Sequence, residues 1–409
     1  MTVQKNSALR FLLFTLLIDF IGFGIIIPVV PNLLKEFLHG NVSLASEYGA
    51  WLSFAYAATQ FLCAPVIGGL SDRFGRRPVL LASLFGLGLD YAFLALAPNI
   101  WWLFLGRILA GVTGASYGVA GAIIADISPP EKRSQNYGLV GMAFGMGFIL
   151  GPSIGGLFSV FGPRAPFVAA SALSLANWIY GYFILPETLS TDLRRPFEWK
   201  RANPVGSILR LRTYPSTLKY LLGAIALLFV ANHCMETSWS YFVMKKFGWT
   251  PVSIGLSITI VGISLAVVQG GLLRILIPKI GQKNSAYLGI VARVLISSLF
   301  AFAWEDWMLY ALLIPFGLCF VATPALGGYI SNHVSPSEQG ELQGIQASIM
   351  SLTAIVGPLL MGYVFAFFTK DGTWYYFPGA PFIVSSLLAL VCLGISVPAF
   401  RNEENRTAS

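Results

Sequence analysis

The sequence predicts an all-α polytopic membrane protein in which twelve transmembrane helices form two pseudo-symmetric bundles of six. Three observations support this fold class. First, 56% of the 409 residues are hydrophobic and only 11% are charged, whereas about a quarter of the residues of a typical soluble domain are charged. Second, apolar blocks of about 18 to 25 residues recur from end to end, each able to cross roughly 30 Å of hydrocarbon. Third, motifs of the first half recur in the second half at a nearly constant offset.

The twelve apolar blocks are numbered here as spans 1 to 12 in chain order. Their predicted ranges are 9–30, 47–69, 79–97, 101–124, 137–160, 166–185, 219–243, 252–276, 285–303, 307–330, 343–368 and 376–399. Span 1 is too long for the apolar core of a signal peptide and lacks a small-residue cleavage site, so we expect it to be a membrane helix. The four cysteines are scattered singly, which is typical of small core residues rather than of a metal site.

The distribution of basic residues predicts that both termini lie in the cytoplasm. With the N-terminus inside, 18 of the 26 lysines and arginines fall in inside loops and five in outside loops. Such a bias is the positive-inside rule, and it accounts for the net charge of +8 without a nucleic-acid partner. The other three, Arg107, Arg274 and Arg293, fall within or near spans.

A polar interval over residues 187–215 divides the chain. It predicts an N-terminal six-helix bundle (1–186), a cytoplasmic linker (187–215) and a C-terminal six-helix bundle (216–409). Ser-Pro pairs begin at Ser128 and Ser335, 207 residues apart, and Gly-Pro pairs begin at Gly151 and Gly357, 206 residues apart. This offset indicates a duplicated unit. Two related bundles joined in this way are typical of secondary transporters.

The loop GGLSDRFGRRP, residues 68–78, lies between spans 2 and 3. Asp72 can cap a helix or form a salt bridge, and Gly75 allows a tight turn. The arginines suit anionic headgroups and helix C-termini; they are Arg73, Arg76 and Arg77. The alternative interpretation is a loop that only sets topology. The corresponding loop of the second half, RILIPKIGQKN, keeps Gly281 but has no acid.

Spans 4 and 5 carry two further signals. Arg107 in span 4 needs a partner or a water-filled cavity, and we expect it to pair with Asp90 in span 3 because the two lie at similar depth. Small residues repeat along span 5 in GMGFILGPSIGG, and they predict a smooth face for close helix packing with a kink at the proline. The residues of this seam are Gly147, Gly151, Pro152, Gly155 and Gly156.

These motifs resemble the major facilitator superfamily, and most of the chain is similar to its tetracycline/proton antiporter branch. LIDFIGFGIIIPVVPNLL resembles helix 1 of that branch, LDYAFLALAP helix 3, GRILAGVTGA helix 4, ADISPPEKR the loop that follows, and AIVGPLL helix 11. The G-x-x-x-D-R-x-G-R-R spacing resembles a superfamily signature. The G-x-x-x-G-P-x-x-G-G pattern resembles helix 5 of drug/proton antiporters, which implies a seam that seals the two halves against leak.

The resemblance implies roles for individual residues. Asp19, Asp90 and Arg107 match residues of substrate and proton coupling. The residues that match the cytoplasmic gate are Gly68, Asp72, Arg73, Gly75, Arg76, Arg77 and Asp126.

The C-terminal half departs from this pattern. Where the tetracycline exporters carry an aspartate in helix 9, this chain reads GIVARVLIS, with Arg293. Span 7 reads FVANHCMETSWSYF, in which His233 and Glu236 are three residues apart and therefore share a helix face. We interpret them as a substrate or proton relay. Arg293 is interpreted as a counter-ion of Glu236 or as a ligand for an anionic substrate.

Asp19 lies nine residues beyond Arg10, roughly 14 Å along a helix and thus close to mid-bilayer. If Asp90 pairs with Arg107, Asp19 is the less compensated acid and the better proton carrier. The alternative is a structural acid that is hydrogen-bonded to a neighbouring helix. Further candidates for a substrate cavity lie near the charged positions; they are Tyr117, Trp239, Tyr241 and Gln269.

The sequence therefore predicts a proton-coupled antiporter that exports a small amphipathic, drug-like or tetracycline-like compound by alternating access. We expect a monomer in the bacterial inner membrane, with substrate, protons and the lipid bilayer as its partners and with no cofactor, metal or nucleic acid. A transporter of an anionic metabolite such as a siderophore stays open as an alternative. The internal repeat disfavours a receptor or a membrane enzyme. The sequence contains no Walker A motif, which argues against an ATP-driven pump.

Overall fold

The computed structural model describes residues 2–114, 116–197, 214–335 and 338–408. These residues contain helices and no strand. Within them, eleven helical segments are long and apolar enough to cross a membrane. The longest, Pro251–Phe302, has 52 residues and contains both span 8 and span 9, which meet at Gly281. All twelve predicted spans are therefore helical, which confirms the predicted fold class.

Every helix of the first half begins before its predicted apolar block. Span 1 is Thr2–Ile26 and is followed by the short helix Val30–Phe37; span 2 is Val42–Phe74, span 3 Arg76–Leu96, span 4 Ile100–Thr113 with Ser116–Ile127, span 5 Pro130–Phe158 and span 6 Ala165–Ile184. Spans 2 and 5 exceed their predicted lengths the most, because polar turns at their ends continue the helix. Hydropathy alone does not detect such turns.

Two spans of the second half are interrupted by π-helical turns. Span 7 consists of Ser216–His233, the π turn Cys234–Ser238 and Trp239–Phe247; span 8 begins as Pro251–Val267 and passes through the π turn Val268–Leu272 into the helix Leu273–Phe302, which includes span 9. Span 10 is Asp306–Phe316, the 3-10 turn Gly317–Phe320 and Ala322–Asn332; span 11 is Gln339–Thr369 and span 12 is Ala380–Ala408. Single π turns within α-helices are rare and often mark functional positions.

Two glycines break the helix in equivalent places of the two halves. Gly75 separates spans 2 and 3 with φ +106° and ψ 159°, and Gly281 separates spans 8 and 9 with φ +79° and ψ 166°. Glycine is the residue that adopts positive φ without strain. The two positions are 206 residues apart, the offset of the Gly-Pro pairs. The repeated backbone break is consistent with the predicted duplication.

The chain forms two compact units with separate cores. The first unit contains Met1–Gly40, Ala55–Pro204 and Thr250–Thr259, and the second contains Asn41–Phe54, Val205–Trp249 and Ile260–Ser409. Leu16 and Leu84 are fully buried in the core of the first unit, as are Leu222 and Ile290 in that of the second. Because residues 198–213 of the predicted linker lie outside the described residues, the predicted domain boundaries stay a prediction.

Span 5 packs tightly on span 1 within the first unit. A Cβ atom on Gly151 would lie 2.6 Å from the Cα of Gly24 and 2.7 Å from the carbonyl oxygen of Ile21. A Cβ atom on Gly147 or Gly155 would likewise overlap span 1. The glycines therefore allow the two backbones to approach closely, as the four-residue repeat predicts.

The adjoining face of span 5 contacts the beginning of span 8, which belongs to the same unit. A Cβ atom on Gly156 would lie 2.9 Å from the carbonyl oxygen of Pro251, and the carbonyl of Pro152 lies where a Cβ atom on Gly255 would be. The Thr259 hydroxyl donates a hydrogen bond to the carbonyl oxygen of Ile149 at 2.9 Å. The predicted seam is thus in contact with helices on two sides.

We expect Gly151→Val to lower the melting temperature of the purified protein, because the new methyl groups must displace the backbone of span 1. Overpacking of this kind costs about 1–3 kcal/mol. Gly145→Val is the matched control, since it makes the same change in the same helix and a Cβ atom there meets nothing within 4 Å. Equal melting temperatures of the two variants in one detergent would contradict this role of the seam.

Candidate functional site

Asp90 and Arg107 form a buried ion pair between spans 3 and 4. Arg107 Nη2 lies 2.5 Å from Asp90 Oδ2, and Asp90 is fully buried. Gly106 makes room for the acid, because a Cβ atom there would lie 2.7 Å from Asp90 Oδ1. The guanidinium of Arg107 also lies over the ring of Tyr56, 5.9 Å from its centroid. The predicted pair is confirmed.

Asp19 is buried in the same unit, and no described lysine or arginine forms an ion pair with it. It is 3% exposed, and its closest recorded polar contact is a long hydrogen bond of 3.4 Å from Asn177 Nδ2 to Oδ1. Asn177 Nδ2 also donates to the carbonyl oxygen of Thr15 at 3.2 Å. Among the described residues, Asp19 Oδ2 has no hydrogen-bond partner. An ionised carboxylate is costly in such a place.

Polar side chains of spans 2 and 6 surround these acids and were missed by sequence reasoning. Besides Asn177 and Tyr56, Gln60 donates from Nε2 to the Tyr56 hydroxyl and to the carbonyl oxygen of Gly114, both at 3.1 Å. A lone amide within an apolar span is itself a signal of a function or of a helix contact. That signal could have identified Gln60 and Asn177.

His233 and Glu236 are in contact at the π turn of span 7. His233 Nδ1 lies 2.7 Å from Glu236 Oε2, which confirms that the two side chains meet. The imidazole packs directly on Gly357 of span 11, where a Cβ atom would overlap it. The Glu236 side chain is 59% exposed and that of His233 is 13% exposed. The acid is therefore the more accessible member of the pair.

Arg293 of span 9 is buried in the second unit, with 2% of its surface exposed. It donates a hydrogen bond from Nη2 to Asn232 Oδ1. Its guanidinium lies 5.3 Å from the ring centroids of both Phe316 and Phe320. None of the described acidic side chains lies within ion-pair distance of it, so direct pairing with Glu236 is wrong: Arg293 reaches Asn232 instead and is enclosed by the aromatic rings of span 10.

The other predicted cavity residues lie in different surroundings. Trp239 is 1% exposed and packs edge-on against Phe300, with 5.3 Å between ring centroids. Tyr241 is also buried, and its hydroxyl lies where a Cβ atom on Gly49 would be. Gln269 is exposed within the second π turn. Trp239 and Tyr241 thus pack against protein in this structure, and the side chain of Tyr117 lies outside the described part of the chain.

Arg76 is the centre of the predicted gate cluster. Its Nη1 donates to Asp72 Oδ1 at 2.5 Å and to Ser71 Oγ at 2.7 Å, and its Nε donates to Asp126 Oδ2 at 3.2 Å. The Arg76 side chain is mostly buried, so the expectation that it faces lipid headgroups is wrong: two carboxylates enclose it. Gly68 accepts a hydrogen bond from Ser71 Oγ at its carbonyl oxygen.

Glu187, which follows span 6, completes this cluster and was missed as part of the linker. Its carboxylate accepts hydrogen bonds from the backbone N–H groups of Arg76 at 2.9 Å and Arg77 at 3.3 Å, at the helix N-terminus that favours an anion. A Cβ atom on Gly75 would overlap this carboxylate. Arg77 Nη2 donates to the carbonyl oxygen of Tyr182 at 2.6 Å, at the C-terminal end of span 6. As predicted, one arginine of the loop meets a helix C-terminus.

Arg73 remains at the surface, with its guanidinium 5.1 Å from the centroid of the Phe74 ring.

The second half contains a neutral counterpart of the gate cluster. Asn332 Nδ2 donates to Gln282 Oε1 at 3.1 Å. Gln282 and Asn332 lie 206 residues after Arg76 and Asp126. An ion pair in one half is therefore replaced by an amide hydrogen bond in the other.

Twelve spanning helices with buried charges inside the bundles define a polytopic membrane transporter. The family model of the Major Facilitator Superfamily matches residues 12–304 and 237–408. The tetracycline resistance protein, class C, of Escherichia coli is 39% identical over 98% of both chains. The class E protein, also of Escherichia coli, is 35% identical over 94% of this chain and 95% of the relative. The chain belongs to the major facilitator superfamily, in the branch of the tetracycline resistance proteins.

Solved structures agree on the fold. The crystal structure of the human organic anion transporter MFSD10 (TETRAN) matches with a TM-score of 0.68 and 24% identity, and the match covers 96% of this chain and 99% of that chain. Because the chain belongs to the major facilitator superfamily, the protein is a transporter rather than an enzyme. The prediction of the family from its sequence motifs is confirmed.

We expect Arg107→Gln to destabilise the protein by about 3–5 kcal/mol, because it leaves the carboxylate of Asp90 buried without its cation. The double variant Asp90→Asn with Arg107→Gln removes both charges and should recover a large part of this loss. The measurement is the denaturation midpoint of the purified proteins in one detergent. A double variant no more stable than the single one would show that the ion pair is not what holds spans 3 and 4 together.

Proposed function

We propose that the protein is a proton-coupled antiporter that exports a small amphipathic, tetracycline-like or drug-like compound by alternating access. The observation that carries this proposal is the contrast between the two buried acids of the first unit. Asp90 has Arg107 beside it, whereas the polar side chain that contacts Asp19 among the described residues is the neutral amide of Asn177. Asp19 can therefore be neutralised by a proton without breaking an ion pair.

Proton binding supplies the driving force in this proposal. A neutral Asp19 tolerates a closed, dehydrated surrounding, and an ionised Asp19 favours a state in which water or a cationic substrate reaches it. The inward proton gradient shifts the balance between these states, so that substrate leaves as protons enter. The ion pair of Asp90 and Arg107 supplies polar groups for the substrate. His233 and the accessible Glu236 form a second proton or substrate site.

We place the protein in the bacterial inner membrane with both termini in the cytoplasm. The bias of lysines and arginines toward inside loops supports this orientation, and the tetracycline resistance proteins reported above come from Escherichia coli. In this orientation the cluster around Arg76 lies at the cytoplasmic face. It ties the ends of spans 2, 3 and 4 together and acts as a cytoplasmic gate, while the glycines of span 5 act as a seal. We expect a monomer.

We expect Asp19→Asn to reduce substrate-dependent proton movement by about tenfold or more, because an amide cannot take up and release the coupling proton. The assay uses inverted vesicles with an imposed acid interior, to which magnesium-tetracycline and then cationic drugs are added while the pH gradient is followed. Asp192→Asn is the matched control, since it makes the same change at an exposed acid of the same unit.

Two results of this assay contradict the proposal. Full substrate-dependent proton movement by the Asp19→Asn protein would remove Asp19 from the coupling. Transport of the drug by the wild-type protein without any dissipation of the pH gradient would remove antiport itself.

One observation favours a second candidate function, the transport of an anionic metabolite such as a siderophore. Arg293 is a buried cation with an amide and two aromatic rings around it and no carboxylate in ion-pair contact among the described residues. A substrate carboxylate or phosphate that displaces Asn232 would supply the missing charge. The same position is less suited to a cationic metal–drug complex.

We expect Arg293→Gln to lower uptake or export of anionic compounds by about tenfold or more if this second function is correct. Arg274→Gln is the control, because Arg274 is an exposed arginine of span 8 in the same unit. The two proteins are compared in vesicles with a panel of anionic and cationic compounds. Normal transport of anions by the Arg293→Gln protein, or transport of cations alone by the wild type, would exclude the anionic candidate.

A further inference from the structure

A groove lies on the first unit between spans 3 and 6, next to the gate cluster, with which it shares Arg77 and Glu187. Its volume is about 580 Å³. One part of its wall is apolar and is formed by Leu81, Phe85 and Trp178, with 5.0 Å between the ring centroids of Phe85 and Trp178. The other end is lined by the arginines Arg77 and Arg194. Phe85 follows Arg77 by eight residues, roughly 12 Å along the helix, so the groove is polar at one end and apolar at the other.

The two arginines are only partly compensated by protein groups. Arg194 Nη2 lies 4.0 Å from Glu187 Oε2, a loose contact. The Glu187 carboxylate is already engaged by four backbone N–H groups, those of residues 76, 77, 188 and 189. Arg77 Nε is buried and has no hydrogen-bond partner in the part of the chain that the structure describes. Among the described residues, the polar end of the groove therefore holds two guanidinium groups and one carboxylate that is already hydrogen-bonded.

The outer surface around the groove suits contact with lipid. Tyr182 is 54% exposed and Phe183 is 79% exposed at the end of span 6, where aromatic residues typically lie at the membrane interface. Arg77 lies 5.6 Å from the centroid of the Tyr182 ring, so one side chain borders both the interface and the groove. A molecule that fills the groove must therefore have an anionic group for the cationic end and an apolar part for the apolar wall.

We propose that this groove binds an anionic phospholipid, with its phosphate between Arg77 and Arg194 and one acyl chain along Phe85 and Trp178. Guanidinium groups bind phosphate oxygens through short, charge-assisted hydrogen bonds, and anionic headgroups attract basic residues at the membrane surface. The bound phosphate compensates the charge that Glu187 leaves unpaired. Because Glu187 joins the end of span 6 to the beginning of span 3, the lipid stabilises this contact.

Lipid binding is measured by native mass spectrometry and by the melting temperature of the purified protein, with phosphatidylglycerol compared with phosphatidylethanolamine. We expect phosphatidylglycerol to bind more tightly, and Arg194→Gln to weaken that binding by about fivefold. Arg195→Gln is the matched control, because Arg195 is the next residue, is exposed and does not line the groove. Equal binding of phosphatidylglycerol by these two variants would overturn the proposal.

A second pair of variants tests the apolar wall without changing charge. Ala82 lines the groove, so Ala82→Trp should fill it and reduce lipid binding. Ala172→Trp places the same side chain on an exposed position of span 6 that does not line the groove and should have no such effect. Unchanged binding by Ala82→Trp would overturn the proposed acyl-chain site.

Soluble ligands separate a lipid from a free phosphate. We expect inorganic phosphate and glycerol 3-phosphate to leave the melting temperature unchanged at concentrations where phosphatidylglycerol raises it. Stabilisation by these soluble ligands that Arg194→Gln abolishes would overturn the lipid assignment in favour of a soluble phosphate ligand. Equal binding of phosphatidylethanolamine and phosphatidylglycerol would overturn the role of net charge.

Discussion

The cost of burying charge in hydrocarbon is the constraint on which the rest of this structure depends. An ionised side chain in a membrane helix needs a partner, and the partner needs room. In three places that room comes from a glycine on the facing or neighbouring turn. The pairs are Gly106 with Asp90, Gly75 with Glu187 and Gly357 with His233. Close helix packing and charge placement are therefore one problem, solved by the same small residues.

The two units meet this constraint in different ways. In the first unit, Arg76 and Arg107 each contact a carboxylate at 2.5 Å, and Asp19 differs from those carboxylates because no described residue forms an ion pair with it. In the second unit, Arg293 is held by an amide and by aromatic faces. Aromatic rings attract a cation without neutralising it. Each unit therefore buries one ionisable side chain without an ion-pair partner among the described residues, the acid Asp19 in the first and the base Arg293 in the second, which is a physical basis for different tasks of two related bundles.

Local features of the sequence were sufficient for the spans and for two contacts. Hydropathy identified the twelve helices, and the similar depth of Asp90 and Arg107, like the three-residue spacing of His233 and Glu236, identified pairs that the structure confirms. Tertiary contacts were not accessible in this way. Glu187 reaches a helix start 111 residues earlier in the chain. The π turns have no recognised local signature in the sequence. The sequence around an aromatic residue such as Trp239 also does not distinguish a side chain that lines a cavity from one that packs in a core.

The exchange of Arg76 and Asp126 for Gln282 and Asn332 has a consequence for how the two halves respond to their surroundings. Ion pairs near a surface weaken as dissolved ions screen them over about 8–10 Å. An amide hydrogen bond joins groups without net charge and is insensitive to this screening. In the first unit this helix corner is therefore held in part by an ion pair whose strength varies with ionic strength. In the second unit the corresponding corner is held by an amide hydrogen bond that does not vary in this way, so the two units differ in how they respond to dissolved ions.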